Sequence, residues 1–142
     1  HEVVYIARSN SPRLVSIGFH AGARAPAHVV SPGPVLLAAL KETALAKWID
    51  HHDFAGFTPE SVTDRRTFLR QVRLAQAQGW WATAGQLDTG LTGVSLPLKD
   101  RRGRCIAAVG MTVQTVHWNM QRSVAQLLPV LQTVAQDLRQ IL

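Results

Sequence analysis

The sequence predicts an α+β domain, an antiparallel sheet with helices on its faces in the order β-β-α-α-α-β-β-β-α. Three observations carry this prediction. Runs rich in β-formers occupy residues 3–20 and 80–116. Segments of helical spacing lie between them, over residues 31–78. A wide apolar stripe of helical period closes the chain from about Asn119.

Residues 3–8 (Val3, Val4, Tyr5, Ile6, Ala7, Arg8) read as a strand. Ser9-Asn10-Ser11-Pro12 is turn chemistry. In residues 13–20, Leu14, Ile17 and Phe19 interleave with Arg13, Ser16, Gly18 and His20, the pattern of a half-buried strand. Residues 3–20 are therefore expected to form a hairpin, and Gly22-Ala23-Arg24-Ala25-Pro26 to break the sheet. At Ser31-Pro32-Gly33-Pro34 the pattern turns helical. Ser31 is a good N-cap residue, and Pro32 suits the first helical position, where no backbone donor is needed. Val35 to Leu40 is apolar on nearly every side, so this helix should be short and buried. A second helix fits Glu42 to His52, with Leu45, Trp48 and Ile49 on one stripe. A third opens at Thr58-Pro59-Glu60 and runs to about Gln78. Phe68, Leu69, Val72 and Ala75 form its inner face, and Gly79 is its stop.

Three strands follow, at Trp80–Ala84, Gly93–Leu98 and Arg104–Val116. The last two are joined by the turn Lys99-Asp100-Arg101-Arg102-Gly103. In the final helix Met120, Val124, Leu127, Leu131, Val134 and Leu138 mark the stripe. Pro129 is expected to kink this helix or divide it.

The 142 residues, 46% hydrophobic and 17% charged, suit one domain with a real core. The chain runs from His1 straight into a strand, as expected of a piece of a longer protein. Cys105 is the single cysteine, so no internal disulfide forms, and its apolar neighbours suggest a buried, inert thiol. No apolar run approaches the ~20 residues needed to cross a bilayer, and a reducing cytoplasm is the simplest compartment. The net charge of +6 raises nucleic acid as a partner. The densest basic groups, Arg65-Arg66-Arg70-Arg73 and Arg101-Arg102-Arg104, lack interleaved exposed aromatics. They fit solvated faces whose field favours a small anion.

Three segments together resemble the effector-binding domain of the IclR family of transcriptional regulators. The first is Gly22-Ala23-Arg24-Ala25-Pro26-Ala27-His28 leading into Ser31-Pro32-Gly33-Pro34. The second is Gly79 followed by Gly90-Leu91-Thr92-Gly93-Val94-Ser95-Leu96-Pro97-Leu98. The third is Gly103 through Val113. The opening Tyr5-Ile6-Ala7-Arg8 and Leu127-Leu128-Pro129 look most like the branch that regulates aromatic-acid and β-ketoadipate catabolism.

The resemblance implies a GAF-like fold and a small organic acid bound between the sheet and the short helices. It also implies a winged helix-turn-helix domain before His1, and homodimers or tetramers that meet DNA only through that domain. It implies no cofactor. Family positions that border the effector correspond to Ser31, Pro32, Thr83, Gly93, Gly110 and Thr112. Two features depart from the family. Pro32 and Pro34 leave only Gly33 and Val35 to offer N–H groups in the first helical turn. The loop Gly85-Gln86-Leu87-Asp88 lacks a glutamate that the family usually carries, so no polar contact is carried over to Gln86.

The residue chemistry supports the same place. A helix start at Ser31 and Gly33 would attract a carboxylate. Gly93 and Ser95 share one strand face, as do Gly110 and Thr112 on the next strand. The bland alternative is that these small residues only let helix and sheet approach closely. Of Trp80 and Trp81, which point to opposite faces, one is core and the other, with Trp80 the candidate, can floor an aromatic pocket. Arg24 can pair with a ligand carboxylate or hold its own loop. His20 and His28 are either donors to a ligand or ordinary histidines. His51-His52-Asp53 cannot easily share a tetrahedral ion, so no metal is expected. No nucleophile elbow, P-loop, Cys/His pair or HExxH is present, which argues against an enzyme. A small enzyme acting on an organic acid and a basic nucleic-acid module remain the alternatives.

Overall fold

A computed structural model of the chain describes residues 1–9 and 19–142. Its elements are β1 (Glu2–Val4), β2 (Arg24–Pro26), a 3-10 turn (Ala27–Val29), α1 (Pro32–Leu37), α2 (Glu42–His51), α3 (Arg65–Gln78), β3 (Trp81–Ala84), β4 (Leu91–Lys99), β5 (Cys105–Gln114) and α4 (Met120–Arg139). The class is α+β and the order is the expected one, but the second strand comes from a different segment.

β1 runs antiparallel to β2, with Val3 opposite Ala25. The pairing continues as Tyr5 N–H donates to the Ala23 carbonyl at 2.9 Å. The segment expected to break the sheet is thus the strand that β1 pairs with. Gly22, at φ +90°, turns the chain back as few other residues can. Pro26 sits last in its strand, where a missing donor ends the ladder at little cost. Most of the expected 13–20 strand lies outside the described residues; Phe19 and His20 are not in a strand.

α3 starts later than expected. Thr58 and Ser61 form a turn instead, with Ser61 N–H donating to the Thr58 carbonyl at 3.1 Å. The hydroxyls of Thr58 and Ser61 then reach the carbonyls of Gly85 and Gln86. These long-range bonds compete with a helical start at Pro59. The helix opens at Asp64, whose side chain accepts from Thr67 N–H at 2.8 Å, and ends at Gly79, in the left-handed region at φ +81°. Phe68 and Val72 of α3 pack with Leu45 and Ile49 of α2 and with Val3 and Ala25 of the small sheet. Phe68 is wholly buried, which stabilises the fold by roughly 2–3 kcal/mol.

β3, β4 and β5 form an antiparallel meander in that order. Alternation puts Ala82, Val94, Leu96 and Val109 on one face, packed by Leu131, Val124, Leu128 and Ala135 of α4. Pro129 does not divide α4. The carbonyl it deprives of a partner is that of Ala125, an exposed residue, so water can satisfy it. The opposite face of the sheet carries Thr83, Gly93, Ser95, Gly110 and Thr112. α1 packs over this face, across β4 and β5, and against α3 on its other side.

Candidate functional site

The strand register sets Thr83, Gly93 and Thr112 side by side across the three strands. A Cβ on Gly93 would stand 2.8 Å from Ser31 Oγ and 3.6 Å from Thr83 Oγ1. The missing side chain at 93 is therefore what keeps space open beneath these hydroxyls. Ser31 does not act as the expected cap. Its backbone is already helical (φ −62°, ψ −35°) and its side chain makes no capping bond. Its Oγ lies instead 2.7 Å from Ser95 Oγ. That mutual bond uses one of the two hydroxyl protons and leaves the other for a further acceptor.

This row floors a half-open cleft whose enclosed space is about 30 Å³, room for a water or two, so a larger ligand has to enter from the open mouth and move the side chains that line it. Tyr5 and Phe19 form an aromatic wall, stacked at 4.2 Å and 8° between planes. Burial pushes the Tyr5 phenol up to about 12, so it stays neutral across the physiological range. Val29, Val30, Leu87 and Leu91 add apolar surface, and Gln86 and Asp88 line the loop side. Among the described residues lining the cleft, Asp88 carries the single charge, so a bound carboxylate would be met by hydroxyls and not by a cation. The loop itself is well fixed. Asp88 Oδ1 accepts from Gly90 N–H at 2.8 Å, and Gly85 N–H donates to the Leu91 carbonyl at 2.9 Å.

Of the residues singled out in the sequence, Ser31, Thr83, Gly93 and Thr112 come together at the cleft. Ser95 and Gly110 lie one row further along the same face, Ser95 acting through Ser31. Gly110 answers to packing, because a Cβ there would lie 2.3 Å from Ser95 Oγ and 2.7 Å from the Val94 carbonyl oxygen. Pro32 and Gly33 do not line the cleft. A Cβ on Gly33 would collide with the Ala27 carbonyl at 1.7 Å, and its N–H is already given to Val30. The six-residue α1 with two prolines is thus no anion cradle. Trp80 packs on the opposite, α4-facing side of the sheet, so it is the core member of the tryptophan pair. Trp81 shares the face of Ser95, and its Nε1 is buried without a partner among the described residues. Arg24 is exposed on β2 and away from the cleft wall.

His28 is buried and satisfied. Its Nε2 donates to the Ala55 carbonyl at 2.8 Å, and its Nδ1 faces His52 Nε2 at 2.7 Å. Two arginines of the basic group on α3 have acidic partners: Arg73 meets Glu42 and Arg65 meets Asp50. Cys105 is half-buried, and burial raises its thiol. Sequence reasoning missed Tyr5, Phe19, Gln86, Leu87, Asp88 and Leu91. Tyr5 and Phe19 looked like ordinary strand residues, and the role of the 85–90 loop depends on its clamp to residues 58–61. No periodicity signals that clamp.

The family model described as bacterial transcriptional regulator IclR C-terminal matches residues 1–140. The p-hydroxybenzoate hydroxylase transcriptional activator of Acinetobacter baylyi is 33% identical, covering 99% of this chain and 54% of that protein. The Pca regulon regulatory protein of Pseudomonas putida is 29% identical over 96% of this chain and 47% of its own length. The chain thus spans about half the length of these curated relatives. Among solved structures, a double mutant of the PobR transcription factor inducer-binding domain from Acinetobacter, in complex with 3-hydroxybenzoic acid, superposes with a TM-score of 0.92. It is 32% identical, with 100% of this chain and 83% of that chain covered. The Thermotoga maritima IclR structure, at 19% identity, shares the fold with a TM-score of 0.86, covering 98% of this chain and 56% of its own. Among the described residues no helix is long and apolar enough to cross a membrane.

Proposed function

This chain belongs to the IclR C-terminal family of bacterial transcriptional regulators, and from that membership we propose that its cleft binds a small aromatic carboxylic acid as the effector of a transcription regulator. The observation that carries the reading is the pairing of an aromatic wall, Tyr5 on Phe19, with a hydroxyl floor of Ser31, Thr83 and Thr112 around the bare backbone of Gly93. A flat ring packs on such a wall, and a carboxylate accepts hydrogen bonds from such hydroxyls. Two similar proteins, one named for p-hydroxybenzoate hydroxylase and one bound to 3-hydroxybenzoic acid, support the choice of an aromatic acid.

In the intact regulator this domain serves as sensor rather than enzyme. It works without a cofactor, in the cytoplasm, within a homo-oligomer that contacts DNA through a winged helix-turn-helix domain on the N-terminal side. The effector acts by binding one arrangement of subunits better than another. Thermal-shift measurements with 4-hydroxybenzoate, protocatechuate, β-ketoadipate and pyruvate test the site. A bound acid raises the unfolding midpoint in proportion to the logarithm of its concentration above Kd. The aromatic acids should do this and pyruvate should not. Absence of any shift at millimolar acid refutes the proposal.

A further inference from the structure

We infer that Gln86 is the residue that reads a hydroxyl group on the effector ring, so that the cleft favours a hydroxylated aromatic acid over the unsubstituted one. The inference rests on the reading of the cleft as an aromatic-acid site and adds to it the identity of the second polar contact. Gln86 lines the cleft, and its side-chain Oε1 is buried with no hydrogen-bond partner among the described residues. A buried acceptor left unpaired is unfavourable, and a donor brought by a ligand relieves it. The terminal torsion of a glutamine is soft, so a small rotation suffices to turn the amide toward an incoming hydroxyl.

The main chain that carries this amide is held from two sides. Ser61 Oγ donates to the Gln86 carbonyl at 2.5 Å, and Thr58 Oγ1 lies 3.4 Å from the same oxygen. Gly85 and Asp88 tie the loop to the start of β4. A loop backbone fixed in this way has little ordering entropy left to lose when the ligand binds, so what remains to be ordered is the side chain.

Placement along the sheet gives the ligand its direction. Gly85 N–H is bonded to Leu91, two residues along β4 from Gly93. The loop that carries Gln86 therefore leaves the sheet about 7 Å along the strand from the hydroxyl floor. That separation suits an aromatic ring with a carboxylate at one end and a hydroxyl across the ring. Asp88 sits at the Gln86 side, so like charge keeps the carboxylate at the other end, on Ser31, Thr83 and Thr112. A hydroxyl donates to Gln86 Oε1, the atom that lacks a partner among the described residues.

Isothermal titration of the chain with 4-hydroxybenzoate and with benzoate tests this. The wild type should bind 4-hydroxybenzoate about tenfold more tightly than benzoate. Q86M keeps the length of the side chain and removes the acceptor. It should bring the two affinities to within about threefold of each other by weakening 4-hydroxybenzoate more than benzoate. An unfolding midpoint close to that of the wild type is the control for folding, and Q86L serves as a second apolar variant. Equal affinity of the wild type for both acids, or a preference that survives in both variants, overturns the role of Gln86 and leaves the site reading intact. Failure of the wild type to bind either acid overturns the site reading and this inference together.

Discussion

The hydroxyl oxygens of Ser31 and Ser95 stand 2.7 Å apart across 64 residues of sequence. Both residues are buried. Their bond fixes the start of α1 to the middle of β4 and sets the height of the cleft above Gly93. Ser95→Ala should leave Ser31 Oγ without its partner and destabilise the domain by about 1–2 kcal/mol in urea unfolding. Effector affinity should fall as well, because the freed Ser31 hydroxyl is no longer oriented. The Ser31→Ala/Ser95→Ala double variant should lose less than the sum of the singles, since both remove the same bond.

Two glycines of the same sheet face should respond differently. In Gly110→Ala the added methyl meets the Val94 carbonyl oxygen at 2.7 Å as well as Ser95 Oγ. Backbone cannot give way easily, so stability should drop by about 1–3 kcal/mol. In Gly93→Ala the nearest atom is the end of a serine side chain, so the fold should tolerate the change better. Its methyl, however, fills the cleft floor. Calorimetry should find acid binding reduced at least about tenfold, with a midpoint nearer the wild type than that of Gly110→Ala.

The histidine chain gives the domain a defined acid response. Because the Ala55 carbonyl only accepts, His28 must carry its proton on Nε2, and its Nδ1 accepts from His52 Nε2–H. His52 Nδ1 is then an acceptor, facing His1 Nδ1 at 3.0 Å. Burial, reinforced by the adjacent His28, pulls His52 down from 6.5 to about 4. A histidine lowered on folding resists a proton that the unfolded chain accepts. Stability from this group is therefore full above pH 6.5 and is lost as pH falls from 6.5 toward 4. The loss is of order 1–3 kcal/mol. Unfolding midpoints measured every half unit should show this slope in the wild type. His52→Gln, which keeps a donor for His28, should flatten it; an unchanged slope would assign the effect elsewhere.

Asn119 caps α4 by accepting from Arg122 N–H at 2.8 Å. Asn119→Ala should destabilise the domain by about 1 kcal/mol. α4 covers the far face of the sheet from the cleft, so the affinity for 4-hydroxybenzoate should not change in the same titration.

The sequence by itself determined the class, the order of elements and the alternation that gives the sheet one apolar and one small, hydroxylated face. These follow from local periodicity and turn chemistry, which neighbouring residues impose on one another. Strand parity also put Gly93 with Ser95, and Gly110 with Thr112, on one face; the placing of Ser31 and Thr83 beside them came from the family resemblance. Only the tertiary structure decided the rest. Arg24–Pro26 became a strand because β1 was there to pair with it. Thr58 and Ser61 left the helix because the carbonyls of Gly85 and Gln86 offered their hydroxyls acceptors from 25 residues or more away. Ser31 gave up its cap for Ser95, and Tyr5, Phe19 and Gln86 joined the cleft from distant segments. Such contacts are chosen by what the folded chain brings within about 3 Å, and no local pattern records that choice.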